Sequence, residues 1–278
     1  MEKFTLEILF HIIGIGSASG LIYKDNSLFI IGDNSEFLYE YAIPSQTLQQ
    51  HAIIENATNN VIKSEKPDFE AITQFGDTIY VFGSGSTQKR NKMIEINTVA
   101  KEIRTNDVAD LYGVMQSFAE IKPQDFNIEG AIYTGEEWYL FNRGNGESSK
   151  NVLFTVKGKN LTNEFNILSN NYKLPKIKGV RSSFTDAVAL GDKIYFLATA
   201  ENTKSTYDDG QILGSFIGCI DTTTMKIDFT KKISDTHKFE GITVYQNSAN
   251  AIEFLLCEDK DSEILETNIY KLTIPKRK

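Results

Sequence analysis

Five short stretches of this chain repeat one pattern, and that repetition restricts the fold more than any other feature. They are Ala18-Ser19-Gly20-Leu21-Ile22, Phe69-Glu70-Ala71-Ile72-Thr73, Ile128-Glu129-Gly130-Ala131-Ile132, Phe184-Thr185-Asp186-Ala187-Val188 and Phe239-Glu240-Gly241-Ile242-Thr243. Each sets a polar residue just before a short apolar run. Aligned on Ser19, Glu70, Glu129, Thr185 and Glu240, the steps are 51, 59, 56 and 55 residues. In four units a second strand starts nine residues later without a gap, at Leu28, Ile79, Trp138 and Ile194, and an aromatic follows at Phe29, Tyr80, Tyr139 and Tyr195. Hairpin-type turns join the two strands, as in Gly76-Asp77 and Gly191-Asp192. The fifth unit carries extra residues in its turn, at 246–250.

Each unit adds a third strand, such as Lys92 to Ile96, and a less regular fourth segment, such as Gln49 to Ile54. Four strands repeated every 55 residues or so read as propeller blades. The expected fold is all-β, a five-bladed β-propeller filling residues 1–278 as one domain. A six-bladed ring with a degenerate blade in residues 97–122 is the alternative. The last unit ends at Ile274 one strand short, while a spare strand, Phe4 to Ile13, precedes the first. The spare strand would complete the last blade and hide both edges.

The segment from Phe4 to Ile15 also resembles a signal-peptide core, with Ser17-Ala18-Ser19-Gly20 imitating a cleavage site. Glu2, Glu7 and His11 argue against that, as does the structural task of the strand. A cytoplasmic protein is expected, with export as the alternative. The net charge of -8 disfavours nucleic-acid binding, which needs clustered Lys and Arg. No stretch has the length of a membrane span. The two cysteines, Cys219 and Cys257, lie outside any CxxC spacing and read as half-buried strand residues in a reducing compartment. A monomer is expected.

In a propeller the first strand of each blade lines the central channel, so Ser19, Glu70, Glu129, Thr185 and Glu240 would ring one mouth of it. Three carboxylates that close repel unless a cation joins them. Oxygen-only donors suit Ca²⁺. Alternatively the glutamates cap backbone amides or hold water. Asp186 directly follows Thr185 and would become the donor after a one-residue shift. A second column lies fourteen residues on: Asp33, Ser84, Arg143 and Thr199, with Cys257 in the fifth unit. The loops that follow, including 199–211 and 258–261, would form a polar rim at the same mouth. Arg143 would pair with a ring carboxylate or hold an anionic substrate. Asp33 would act as a general base or remain a solvated loop acid. The three histidines, His11, His51 and His237, show no ligand spacing.

The Ser19, Glu70, Glu129, Thr185, Glu240 pattern resembles that of calcium-dependent apyrases, five-bladed propeller nucleotidases with a central Ca²⁺. Phe239-Glu240-Gly241-Ile242 and Arg181-Ser182-Ser183-Phe184 match that family's last two blades in kind, although Thr185 stands where the family has serine. The Glu-Gly-Ile motif is also similar to SdiA-regulated and esterase-like phytase propellers, and to bacterial propeller proteins of unknown function. The resemblance implies a Ca²⁺ site and a hydrolase-like activity on a phosphorylated or anionic small molecule bound at the acidic mouth. The alternative is a non-catalytic ligand- or protein-binding propeller in which the cation is structural.

Overall fold

A computed structural model describes residues 4–162, 165–206, 210–260 and 264–276. After β1 (Thr5–Ile13), blade 1 is built from β2 (Ala18–Lys24), β3 (Ser27–Gly32), β4 (Phe37–Ala42) and β5 (Thr47–Ala52). Blade 2 takes β6 (Phe69–Phe75), β7 (Thr78–Gly83), β8 (Lys92–Asn97) and β9 (Glu102–Asp107). The helix α1 (Ala109–Ala119) leads to blade 3, formed by β10 (Ile128–Tyr133), β11 (Glu137–Asn142), β12 (Asn151–Lys157) and β13 (Asn166–Tyr172). Blade 4 has the short β14 (Lys176–Ile177), then β15 (Val180–Leu190), β16 (Lys193–Asn202), β17 (Gln211–Asp221) and β18 (Lys226–Ser234). Blade 5 comprises β19 (Phe239–Asn247), β20 (Ala251–Glu258) and β21 (Glu266–Pro275), with β1 as its outermost strand. The protein is a five-bladed β-propeller closed by its N-terminal strand, as the repeat implied. The 97–122 stretch is no sixth blade; it holds β9 and α1.

Local chemistry sets the blades. The β2–β3 turn pairs Lys24 with Ser27 and puts Asp25 and Asn26 at φ 50° and 62°. Short polar residues tolerate that left-handed pair, which matches the twist of a hairpin. Gly76, at φ 58°, serves the β6–β7 turn. Aromatic rings fill the seams between blades: Tyr80 meets Trp138 edge-on at 4.9 Å, Phe141 meets Phe184 at 5.2 Å and Tyr195 meets Phe254 at 4.9 Å. The helix α1 buries Leu111, Tyr112 and Met115 in the seam between blades 2 and 3. At eleven residues it is too short to impose a long helical period on the sequence. Both cysteines are free and fully buried rather than half-buried. Among the described residues, no helix is long and apolar enough to cross a membrane.

Each junction between successive blades carries a side-chain bond to backbone. Ser19 Oγ donates to Phe69 O at 2.6 Å, and Thr185 Oγ1 donates to Phe239 O at 2.7 Å. Thr73 Oγ1 accepts from Tyr133 N, Asn151 Oδ1 from Phe184 N and Thr243 Oγ1 from Tyr23 N. These contacts satisfy inner-strand groups that the ladders leave over.

Candidate functional site

All five inner strands break register at one place. The break falls between Ala18 and Gly20, Phe69 and Ala71, Ile128 and Gly130, Phe184 and Asp186, and Phe239 and Gly241. The skipped residues are Ser19, Glu70, Glu129, Thr185 and Glu240. A bulge frees one residue from the ladder and re-aims its side chain, so the aligned polar column is a column of bulges. It also identifies the fourth member as Thr185; Asp186 is a paired residue opposite Leu197.

The five members do different work. The Ser19 and Thr185 hydroxyls are spent on the inter-blade bonds above. The three glutamates line a cavity of ≈ 570 Å³ at the mouth, together with Asp33, Asp68, Arg143, Glu201 and Asp259 among others. Asp186 stays outside it: its Oδ2 accepts from Ile242 N at 2.8 Å and burial holds its carboxyl well above the usual range. Ser19→Ala and Thr185→Val are therefore expected to lower stability by about 1 kcal/mol each, the usual worth of one hydrogen bond. Chemical unfolding would measure this.

Arg143 follows β11 and sits inside a group of carboxylates. Its Nη1 lies 3.0 Å from Glu129 Oε1 and 3.4 Å from Glu240 Oε1, and its Nη2 donates to Glu201 Oε2. Burial opposes its charge, but Glu129, Glu201 and Glu240 more than offset that and hold it firmly cationic. Of the two roles open to Arg143 from sequence, pairing with ring carboxylates is the one in place. Burial pushes the Glu129 carboxyl up despite the guanidinium, and pushes Glu240 well up, with Asp259 and Glu129 adding repulsion against the pull of Lys238.

A second group gathers on blades 1 and 2. Asp33, Asp68 and Glu70 each place an oxygen within 4.8 Å of the others. Lys66, from the loop between the blades, donates to Asp33 and reaches Asp68 Oδ1 at 2.8 Å. Arg90 Nη1 lies 2.8 Å from Asp68 Oδ2. Burial raises the Asp33 carboxyl although Lys66 opposes it. Glu70 is 9% exposed and draws no hydrogen bond from a described residue. Burial first, then repulsion from Glu129, Asp68, Glu240 and Asp33, drives its pKa well above the ordinary 4.5. Of the six residues expected to bind metal, only Glu70 belongs to this group. Asp33, expected as a base, is its second member.

The second column ends differently from the sequence reading. In blade 5 Phe239 pairs with Glu258, so the residue equivalent to Asp33 and Arg143 is Asp259, and Cys257 pairs with Gly241 inside the sheet. The β19–β20 hairpin is longer than its counterparts, and a second register break between Val244 and Gln246 adds one unpaired residue to it. Asp259 bonds Lys238 at 2.9 Å, and Lys238 also lies 3.1 Å from Glu240. One residue back, His237 Nδ1 meets Glu258 Oε1 at 2.6 Å, a pair outside the cavity. In the rim loops, residues 207–209 and Asp261 lie outside the described residues.

The charged lining residues Lys63, Lys66, Asp68, Arg90 and Lys238 escaped the sequence reading, whereas Glu201 and Asp259 fall in the expected rim loops without a role of their own. A signal existed for two of them. Positions two before each ring member read Ser17, Asp68, Asn127, Ser183 and Lys238, and strand alternation puts them on the ring's face.

Among curated proteins, none matches the chain. Solved structures share its fold. The major allergen Mala s 1 of Malassezia sympodialis superposes with a TM-score of 0.61 at 9% identity, over 94% of this chain and 95% of that one. Myxococcus xanthus glutaminyl cyclase gives 0.54 at 11% identity, over 97% of both chains. A tail fibre of Staphylococcus aureus phage P68 gives 0.50 at 13%, over 97% of this chain and 52% of that one. Such identities speak for the fold alone. The family model described as a family of unknown function, DUF6929, matches residues 14–274, and the chain belongs to that family.

Proposed function

We propose that the mouth is a cation-dependent binding site for a small anionic molecule, with the divalent cation, Ca²⁺, held by Glu70, Asp33 and Asp68. The observation that carries this reading is Glu70: a carboxylate 9% exposed that lines the cavity and takes no hydrogen bond from a described residue, beside two further carboxylates. The chemistry of the donors fits, since hard oxygen ligands are what Ca²⁺ takes. Formal charge fits too. The lining has seven acids (Asp33, Asp68, Glu70, Glu129, Glu201, Glu240, Asp259) and five bases (Lys63, Lys66, Arg90, Arg143, Lys238), a deficit of two charges. A bound cation would polarise an oxygen of the anion.

Lys66 already holds Asp33 and Asp68, so a cation binds here in competition with a tethered ammonium. Calcium is expected to raise the unfolding midpoint of the wild type. Lys66→Gln is expected to bind Ca²⁺ at least tenfold more tightly, and Glu70→Gln to abolish the shift; calorimetric titration reads both. A wild type indifferent to Ca²⁺ would sink the reading. The pH sense follows from the raised Glu70 carboxyl, which the folded state protonates more readily than the unfolded state does. Its contribution to ion-free stability is full below pH 4.5 and is lost as pH climbs toward the raised value. Glu70→Gln should remove that slope, at most about 1.4 kcal/mol per pH unit.

One observation favours a binding protein over a hydrolase. Arg143 is engaged by three carboxylates and Asp33 by Lys66, so both expected catalytic groups are occupied. A phosphoester screen with Ca²⁺ separates the two: turnover makes the site hydrolytic, and saturable binding without turnover makes it a receptor.

A further inference from the structure

The mouth has two further acceptors, on blade 3, that take no hydrogen bond from a described residue. Glu129 Oε2 and Asn145 Oδ1, both on blade 3 and both lining the cavity, are buried and accept no hydrogen bond. Glu129 is 2% exposed, and its other oxygen already takes Asn127 Nδ2 at 2.6 Å and Arg143 Nη1. Charge there is lopsided: the Arg143 guanidinium faces Glu129, Glu201 and Glu240, while Lys238 is shared by Glu240 and Asp259. What fits such a place is a group bringing both N–H donors and positive charge. A primary ammonium has three donors and no acceptor.

The chain supplies its own precedents for that group. The ammonium of Lys66 sits between Asp33 and Asp68, and that of Lys238 between Glu240 and Asp259. The lining also limits the rest of the ligand. Among the described residues Val61 is its one aliphatic member, and no aromatic side chain lines it. The described lining therefore offers no aromatic face for a ring to stack on.

We propose that the ligand of the mouth is a compact molecule carrying a primary ammonium as well as its anionic group. The ammonium donates to Glu129 Oε2 and Asn145 Oδ1. The anionic end is directed to the cation at Glu70, Asp33 and Asp68, and for that end alone the inference rests on the proposed cation site.

The test compares two probes of similar size on the Ca²⁺-saturated protein by calorimetry: phosphoethanolamine and ethyl phosphate, which lacks the amine. Phosphoethanolamine is expected to bind at least tenfold more tightly. Asn145→Ala is expected to shrink that preference several-fold while Ca²⁺ affinity stays within twofold. Glu129→Gln, should it fold, is expected to erase the preference. Equal affinity for the two probes, or no binding of either to protein that does bind Ca²⁺, overturns the inference and leaves the cation site standing. If Ca²⁺ itself does not bind, the cation reading fails instead, and the ammonium end is judged with propylamine alone. Saturable binding of propylamine weakened by Asn145→Ala then supports it; no binding ends it.

Discussion

Replacing Arg143 with methionine is expected to cost about 3–5 kcal/mol, the usual penalty for removing one partner from a buried ionic group. The side chain is 5% exposed, and Glu129, Glu201 and Glu240 around it are just as secluded. Methionine roughly preserves packing, so the loss isolates charge. Total stability for a domain is about 5–15 kcal/mol, and for a chain of 278 residues this loss corresponds to a fall of roughly 5–9 °C in the unfolding midpoint. The deficit should depend on pH. With the guanidinium gone, the Glu129 and Glu240 carboxyls rise further above their unfolded values. Protons then bind the folded state preferentially, so the variant recovers on acidification and loses stability as pH rises. Adding Glu129→Gln and Glu240→Gln should restore much of the loss at neutral pH. A midpoint within a degree or two of wild type would mean that the carboxylates do not depend on Arg143.

The second large effect concerns ring closure. Deleting residues 1–13 removes β1, whose ladder with β21 runs from Thr5 opposite Thr273 to Ile13 opposite Glu266. Ile12 is 1% exposed and packs with Ile15, Tyr41 and Ile269, while Phe10 lies 5.9 Å from Tyr41. The lost apolar burial is worth on the order of 5 kcal/mol. The deletion also bares the edge of β21 to pairing with other chains. Cooperative unfolding is expected to disappear and aggregation to rise, read by circular dichroism and light scattering. A synthetic peptide of residues 1–13 added in trans should restore part of the transition. A sharp transition in the truncated protein without the peptide would show that blade 5 stands on three strands.

The repeat was legible because hairpins of fixed length hold Phe29, Tyr80, Tyr139 and Tyr195 at one offset from the bulges. The ring members were visible for the same reason. Their division of labour was not, since a hydroxyl that staples blades and one that meets a ligand look alike in sequence. The Asp33, Asp68 and Glu70 group was harder still. Lys66 reaches the site from the irregular loop between blades 1 and 2, and Arg90 from a single helical turn before β8. Neither lies on a periodic element, so no spacing betrays it. Glu201 sits three residues beyond the pairing of Phe184 with Ala198, in a part of β16 that the shorter second strands of the other blades lack. Asp259 fell in the expected rim loop, but its equivalence to Asp33 and Arg143 was hidden by the longer hairpin of blade 5.

The shared bulge has a consequence for how this scaffold changes. Because the bulged residue is excused from strand pairing, its identity is nearly independent of the ladder that holds the blade together. In this chain the five places hold two hydroxyls and three carboxylates, while the residues just after them are Gly20, Ala71, Gly130, Asp186 and Gly241. The first set can be rewritten one blade at a time. The second is confined by close approach: a Cβ at Gly130 would come within 3.2 Å of the Asp186 backbone, and one at Gly241 within 2.5 Å of Cys257 Sγ. Chemical novelty and structural constraint thus occupy adjacent letters of each repeat, and a relative could alter the three carboxylate places at Glu70, Glu129 and Glu240 while the Ser19 and Thr185 hydroxyls go on tying blade to blade.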